Sequence, residues 1–250
     1  FSKYMITVFF IIGLTSALIS GVTGLAGGVL LLSCLSLMFP IEVVIPLHAL
    51  VQVLANLSRV LLLRPHIEWS IWRAFNLLTI PAGLLGAYGV TFLPRDVIKG
   101  AVGLVVLLAA FYTLKPKQNT APQTGLSTAG RQRYVILGAV SSLLGMVVGA
   151  TGPLIAPFFM IAGLKRERFI ATKSACQLTV QLIKTAIFAQ LLDFTYQDYS
   201  AELGFTVCGV VFGTWVAKKV LAKVNGAWLE TLIALMLIVL ASRMIMSAWL

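Results

Sequence analysis

Long apolar runs separated by short polar gaps extend along the whole chain. They cover residues 4–21, 26–39, 43–63, 69–93 and 97–114, and then 134–148, 153–163, 169–192, 201–217 and 227–249. Runs of about 20 apolar residues match the thickness of a bilayer as a helix, whereas about a dozen residues reach only halfway. The pattern therefore predicts an all-α protein with spanning helices in each half and two half-helices, at 26–39 and 153–163.

The two halves of the sequence repeat each other at a spacing of 125 residues, without gaps. This spacing pairs glycines such as Gly13 with Gly138, and it also pairs rarer polar residues. The polar pairs are Glu42 with Glu167, His48 with Lys173, Gln52 with Gln177, Asn56 with Gln181 and Arg59 with Lys184. We interpret the match as a duplication, with a first repeat at 1–114, a polar linker at 115–133 and a second repeat at 134–250.

Composition places the chain in a membrane. Of its 250 residues, 59% are hydrophobic and 11% are charged, with a mean hydropathy of +0.98. A soluble domain carries about 25% charged residues, so a soluble protein is excluded. The net charge of +11 comes from Lys and Arg in the gaps between apolar runs, which is typical of topology signals rather than of nucleic-acid binding.

Charge in the gaps between the apolar runs predicts which side of the membrane each gap faces, because cytoplasmic loops collect Lys and Arg. The linker and the basic gaps at 165–168 and 218–223 are expected to be cytoplasmic, and the acidic gap at 193–198 external. This requires 134–148 and 153–163 to form a hairpin with no net crossing, which inverts the second repeat relative to the first. The charges in the first half agree less well with this inverted arrangement. A parallel repeat, with four spans in each half, therefore remains the alternative.

Glycine-rich breaks precede both predicted half-helices. The first, GVTGLAGG at 21–28, contains Gly24, Gly27 and Gly28, and the second, GMVVGATGP at 145–153, contains Gly149, Thr151 and Gly152. A helix that begins inside the membrane directs free N–H groups and its positive dipole end at one place, which favours an anion site. The alternative is that these glycines only permit close helix packing, as Gly209 and Gly213 are expected to do.

A polar stripe follows one face of the third span in each half. Its members are His48, Gln52, Asn56 and Arg59, and then Lys173, Gln177, Gln181 and Lys184. In an inverted repeat, Arg59 lies about 9 Å to one side of the midplane and Lys184 to the other, so two cations flank an amide-lined site. Snorkelling is the alternative for Arg59 and Lys173, and simple core packing for His48, which otherwise binds substrate or carries a proton. Glu42 and Glu167 begin helices, where a carboxylate is favourable even without proton coupling.

No pattern in the sequence predicts an enzyme or a metal site. Cys34, Cys176 and Cys208 stand singly in apolar segments, and neither a GxSxG nor an HExxH motif is present. We therefore expect no cofactor and no metal.

The segments GVTGLAGGVLLLSCL and GATGPLIAPFF, each followed by a polar span, resemble the TauE/SafE family of sulfite-exporter-like membrane proteins. The resemblance covers nearly the whole chain apart from the linker. It implies export of sulfite, organosulfonates or other sulfur anions across a bacterial inner membrane. Members typically carry a proline in the first half-helix; here Ser33 and Cys34 occupy that stretch, while Pro157 supplies a proline in the second.

Residues and resemblance together predict a secondary transporter that binds a small anion at mid-membrane and works by alternating access. An anion channel is one alternative. Another is a membrane subunit that handles sulfur intermediates through Cys176. The GxxxG pattern at 209–213 permits a homodimer.

Overall fold

The computed structural model describes residues 3–23, 26–114, 128–152 and 166–220, together with isolated positions between 155 and 164 and between 231 and 246. All regular structure in these residues is helical, which confirms the predicted all-α class. The helices are α1 (Lys3–Thr23), α2 (Ala26–Leu35), α3 (Ile41–Leu63), α4 (Trp69–Asn76), α5 (Thr79–Val90), α6 (Arg95–Leu114), α7 (Thr128–Val148), α8 (Arg166–Gln190) and α9 (Ser200–Val220). Short 3-10 turns lie at Arg64–His66 and Tyr196–Tyr199.

Three described helices have the length and apolar composition to cross a membrane. The apolar segments are Tyr4–Gly21, Ile41–His66 and Tyr196–Ala217, of which the last two include the adjoining 3-10 turns. Large apolar side chains such as Leu61, Leu85 and Phe92 are exposed on the surface, as in a protein whose surface faces lipid. Among the described residues, these features support a multi-pass membrane protein.

The first predicted half-helix is present as α2, which has only 10 residues. Most of the second, at 153–163, lies outside the described residues, although Ile155, Phe158 and Phe159 are helical. Most of the predicted last span at 227–249 and of the linker at 115–133 also lies outside them.

The predicted span at 69–93 is divided into α4 and α5. The break lies at Leu77 and Leu78, directly before Pro81 in the first turn of α5. Proline has no N–H to donate to the carbonyl four residues earlier, so the first helix ends there. The Thr79 hydroxyl instead donates to the Asn76 carbonyl at 3.0 Å and caps α4. The apolar run at 69–93 is therefore two helices, with a complete break just before Pro81.

Each half packs its first helix against a late helix of the other half. α1 packs along α9, where Gly13 faces Thr206 and Gly21 faces Ala217. α7 packs along α4 and α5, where Gly138 faces the carbonyl of Phe75. Along this contact the residue numbers of the touching pairs rise together in α1 and α9, so these two helices run parallel.

The two polar spans, α3 and α8, pack against each other in opposite directions. Near the end of α3, Val60 belongs to the cluster of Ala171 at the start of α8. Near the start of α3, Ile45 lies 3.6 Å from the Cβ position of Gly149. The Gly149 carbonyl accepts a 2.7 Å hydrogen bond from Lys184, late in α8. The polar faces of both spans consequently meet at the centre of the molecule.

Candidate functional site

A small polar cavity lies between α3 and α8. Its volume is about 30 Å³, room for about two water molecules by this measure. Ser20 near the end of α1, Gly28 in α2 and the segment 150–152 complete its wall. Both glycine breaks therefore border the same space as both polar spans.

Most of the residues selected from the sequence line this cavity. Those lining it are Gly28, His48, Gln52, Asn56, Arg59, Thr151, Gly152, Lys173, Gln177 and Gln181. They come from four separate parts of the chain. Helical spacing places each group of polar residues on one face, and the antiparallel packing of α3 and α8 brings the two faces together.

Several selected residues are placed elsewhere. Gly24 lies outside the described residues. Gly27 packs against α1, where its carbonyl accepts a 2.7 Å hydrogen bond from the Ser16 hydroxyl. Glu42 is half-buried at the start of α3, and Glu167 is exposed at the start of α8; neither is part of the described cavity wall.

Arg59 is the cation that α3 contributes to the cavity. Its side chain is 9% exposed, and its Nη1 donates a 3.1 Å hydrogen bond to Asn56 Oδ1. That bond fixes the orientation of the Asn56 amide, so its Nδ2 donor points away from Arg59. Among the described residues, neither Asn56 Nδ2 nor Arg59 Nε has a partner.

Lys173 is the cation that α8 contributes. It is 7% exposed and lies within electrostatic range of Arg59, so the two positive charges repel each other. Its Nζ lies 6.0 Å from the centre of the Phe169 ring, which offers weak cation–π stabilisation. The pair therefore raises the positive potential of the cavity.

Lys184 does not line the cavity in the described structure. Its side chain is 1% exposed, and its Nζ donates to the carbonyls of Gly149 at 2.7 Å and Gly145 at 3.4 Å. These carbonyls belong to the end of α7, where a cation adds a hydrogen bond to the exposed acceptors and complements the helix dipole. Gly149 ends α7 with φ +81°, a backbone conformation that glycine adopts without strain. Lys184 thus holds the glycine break that leads into the cavity wall.

His48 connects α3 to α2. Its Nε2 lies 2.9 Å from the Gly28 carbonyl oxygen, and its side chain is 1% exposed. Gly28 lies in the first turn of α2, so the bond ties the start of this half-helix to the polar span. Lys184 lies within electrostatic range of His48 from the opposite helix.

Glycines let the backbone reach the cavity. A Cβ on Gly152 would lie 3.4 Å from Gln177 Oε1 and 3.6 Å from Lys173 Nζ, inside the cavity itself. A Cβ on Gly28 would lie 2.7 Å from Gln52 Nε2 and would displace that amide. Any side chain at either position would therefore take space from a ligand.

Ser20 and Ser174 also line the cavity and were not predicted. Ser20 immediately precedes the first glycine break, and Ser174 follows Lys173. Their position next to the glycine break and next to Lys173 was the feature of the sequence that could have indicated a place in the cavity wall. Serine is common in helix interfaces, however, so only the packing distinguishes these two serines from others.

A second cavity of about 70 Å³ adjoins Arg59 on the side away from the central cavity, toward the end of α3. We call it the vestibule. It is lined mainly by apolar residues of α1, α3, α8 and α9: Gly21, Leu62, Leu63, Ile170, Thr214 and Ala217. Arg59 and Ile170 belong to both walls, so their side chains stand between the two spaces.

A family model described as Sulfite exporter TauE/SafE matches residues 9–244. The chain belongs to the TauE/SafE sulfite exporter family. A search of curated proteins returned no match. TauE/SafE proteins are transporters rather than enzymes, so the chain is a membrane transporter by family.

Proposed function

We propose that this TauE/SafE protein carries a small sulfur oxyanion, such as sulfite, across the membrane through the central cavity. The observation that supports this most strongly is the charge of the wall. Arg59 and Lys173 are both buried there, and the described wall residues include no Asp or Glu. Two buried cations in the wall of one small cavity are costly unless an anion compensates them.

Hydrogen-bond donors support the same substrate class. An anion that leaves water must regain hydrogen bonds inside the protein. Arg59 Nε and Asn56 Nδ2 are buried donors whose partners are missing among the described residues. Together with the Gln52 and Gln177 amides, they can replace part of the hydration shell of an oxyanion.

Cavity size favours a compact anion. A volume of about 30 Å³ holds about two water molecules, so sulfite, with four non-hydrogen atoms, would fit after small shifts of the wall side chains. An organosulfonate with a longer substituent would require the wall to move. The small volume also favours a carrier over a channel, because a channel needs a continuous wide path.

Alternating access between inverted repeats is part of the proposal. Antiparallel packing of α3 and α8 supports it, because corresponding helices of an inverted repeat run in opposite directions. The reciprocal pairing of α1 with α9 and of α7 with α4 and α5 supports it as well. Rocking of one bundle against the other would expose the cavity to each side in turn.

Export is the proposed direction, from the cytoplasm of a bacterium across its inner membrane. An inside-negative potential favours outward movement of an anion by about 2.3 kcal/mol per charge per 100 mV. The vestibule lies toward the end of α3 and the start of α8, where the basic gap at 165–168 marks the proposed cytoplasmic side. Arg59 would meet an anion entering by this route first.

Flux measurements test the proposal. Proteoliposomes loaded with labelled sulfite would be compared for wild type, Arg59→Gln and Lys173→Gln, with Arg131→Gln as control because Arg131 is exposed on α7. We expect at least about 10-fold slower efflux for the two cavity variants, since each removes a charge interaction with the anion, and no change for the control. No efflux from the wild type would refute sulfite transport. Equal efflux from all four proteins would refute the cationic site.

A further inference from the structure

Among the described residues, no hydrogen-bond partner is present for several donors and acceptors in the wall of the central cavity. Arg59 Nε and Asn56 Nδ2 are donors, whereas His48 Nδ1 and Gln181 Oε1 are acceptors. All four atoms are buried, and all four residues line the cavity. A fully deprotonated oxyanion offers only acceptors, so it would leave the two acceptors of the wall unpaired.

The hydrogen bond to Gly28 determines which nitrogen of His48 accepts. A carbonyl oxygen only accepts, so Nε2 must carry the proton and donate it across the 2.9 Å contact. In a neutral ring Nδ1 then has a lone pair and no hydrogen. Burial makes an unsatisfied acceptor of this kind costly, which favours a ligand that donates to it.

The charges around His48 favour the neutral ring. Lys184 faces it from α8, and Lys173 of α8 and Arg59 of α3 share the cavity wall with it. The described wall residues from α1, α2 and 150–152 are uncharged. A positive charge on the His48 ring would be repelled by these cations, and the described wall contains no carboxylate to stabilise it.

We propose that the cavity binds its oxyanion in the singly protonated form, with the hydroxyl group donating to His48 Nδ1. Arg59, Asn56 and Lys173 bind the remaining oxygens. For sulfite the bound species is hydrogen sulfite, so each transported anion takes one proton with it. This inference rests on the proposed function and adds to it the protonation state of the substrate.

Selectivity for a hydroxyl follows from the same geometry. Methanesulfonate has a similar size and a single negative charge, but a methyl group replaces the hydroxyl. It would leave His48 Nδ1 unpaired, and sites built to pair a substrate hydroxyl discriminate strongly against analogues that lack it. We expect hydrogen sulfite to bind about 10-fold more tightly or better.

Binding at two pH values tests this inference. The rise in thermal unfolding temperature of the purified full chain, titrated with sulfite or methanesulfonate, would be measured at slightly acidic and slightly alkaline pH. For the wild type we expect tighter sulfite binding at the acidic pH, where more of it is hydrogen sulfite. Methanesulfonate binding should change little, because its charge is the same at both values. An equal change for both anions would mean that Lys173 or another protein group titrates, and would overturn the proposal.

Two variants test the role of His48 itself. His48→Gln can keep the bond to Gly28 through its amide nitrogen but places no ring nitrogen at the Nδ1 position, and His48→Phe removes both nitrogens. Each should bind sulfite and methanesulfonate with similar affinity. A wild-type preference retained in His48→Gln would overturn the proposal, even if His48→Phe does not fold. Absence of both sulfite binding and sulfite flux in the wild type would instead refute the proposed function.

Discussion

At the scale of single residues, corresponding cations of the two repeats have different surroundings. Arg59 lines the cavity and bonds to Asn56, whereas Lys184 bonds to two carbonyls at the end of α7. Lys173, which corresponds to His48, supplies the second positive charge of the wall. Positions that correspond at the spacing of 125 residues therefore differ: Arg59 and Lys173 line the cavity, whereas Lys184 binds backbone carbonyls.

Lys184→Gln should lower stability, because it removes a buried cation from the carbonyls of Gly145 and Gly149 at the end of α7. We expect a loss of about 2 kcal/mol in the free energy of unfolding. Lys173→Gln should cost less, because the loss of its stabilising contacts is partly offset by relief of its repulsion with Arg59. Thermal unfolding of both variants in one detergent measures the difference. Equal losses would mean that Lys173 is also a structural cation.

Gly152→Ala should slow transport without unfolding the protein. The new methyl group would make ordinary contacts with Gln177 and Lys173, but it would occupy much of a cavity of about 30 Å³. We expect sulfite flux to fall at least about 10-fold, comparable to removing a binding interaction of more than about 1.4 kcal/mol.

Gly145→Ala is the matched control for Gly152→Ala. Its Cβ would lie 3.7 Å from Val180 Cγ1, an ordinary contact, and Gly145 is not part of the described cavity wall. Flux should match the wild type. A similar loss in both variants would indicate a general sensitivity of the glycine break rather than a loss of ligand space.

At the scale of helices, glycines set how closely the two repeats approach. Gly13 of α1 lies against the backbone of Thr206 in α9, and Gly138 of α7 lies against the backbone of Phe75 in α4. These two glycines correspond at the spacing of 125 residues. Packing in a bilayer depends on such close contact, since the hydrophobic effect contributes little between helices there.

Gly13→Ala and Gly138→Ala should each destabilise the protein by about 1–3 kcal/mol, because the added Cβ meets backbone that cannot rotate away. Gly204→Ala in α9 is the control, since a Cβ there meets nothing within 4 Å. Unfolding temperatures of the three variants would be compared in the same detergent. A Gly13→Ala protein as stable as the control would contradict the tight α1–α9 contact.

At the scale of the whole molecule, contacts between segments place the loops at two ends. The Arg168 guanidinium lies 2.6 Å from the Glu68 carboxylate, which joins the end of α3 to the start of α8. At the other end, the ring of Phe39 lies 5.7 Å from that of Tyr199. The segments around 64–68 and 166–168 therefore share one end, and those around 39 and 199 share the opposite end.

Cysteine labelling in intact cells tests this arrangement and its proposed orientation. Ser70→Cys, Glu167→Cys and Gln197→Cys would be made singly, with Cys34, Cys176 and Cys208 replaced. All three positions are exposed. A membrane-impermeant maleimide should label Gln197→Cys from outside, and the other two only after permeabilisation. Labelling of Ser70→Cys and Glu167→Cys from different sides would contradict the fold.

The sequence by itself determined the helical membrane class and most of the residues of the cavity wall, whereas the duplication stays a prediction. Hydrophobic runs report burial in lipid directly, and helical spacing places His48, Gln52, Asn56 and Arg59 on one face whatever their neighbours are. For the same reason α2 could be predicted as a half-helix. These properties depend on the local periodicity of apolar and polar residues, which can be read from the sequence alone.

Only the tertiary structure decided which cation meets the cavity. Lys173 and Lys184 lie on the same helix and both are buried, so spacing could not distinguish them. The difference comes from α7, whose terminal carbonyls accept hydrogen bonds from Lys184, while Lys173 lines the cavity. The bond from His48 to Gly28 likewise joins residues 20 positions apart. Such contacts depend on how helices approach in space, because a buried polar group is satisfied by whichever partner the packing brings to it.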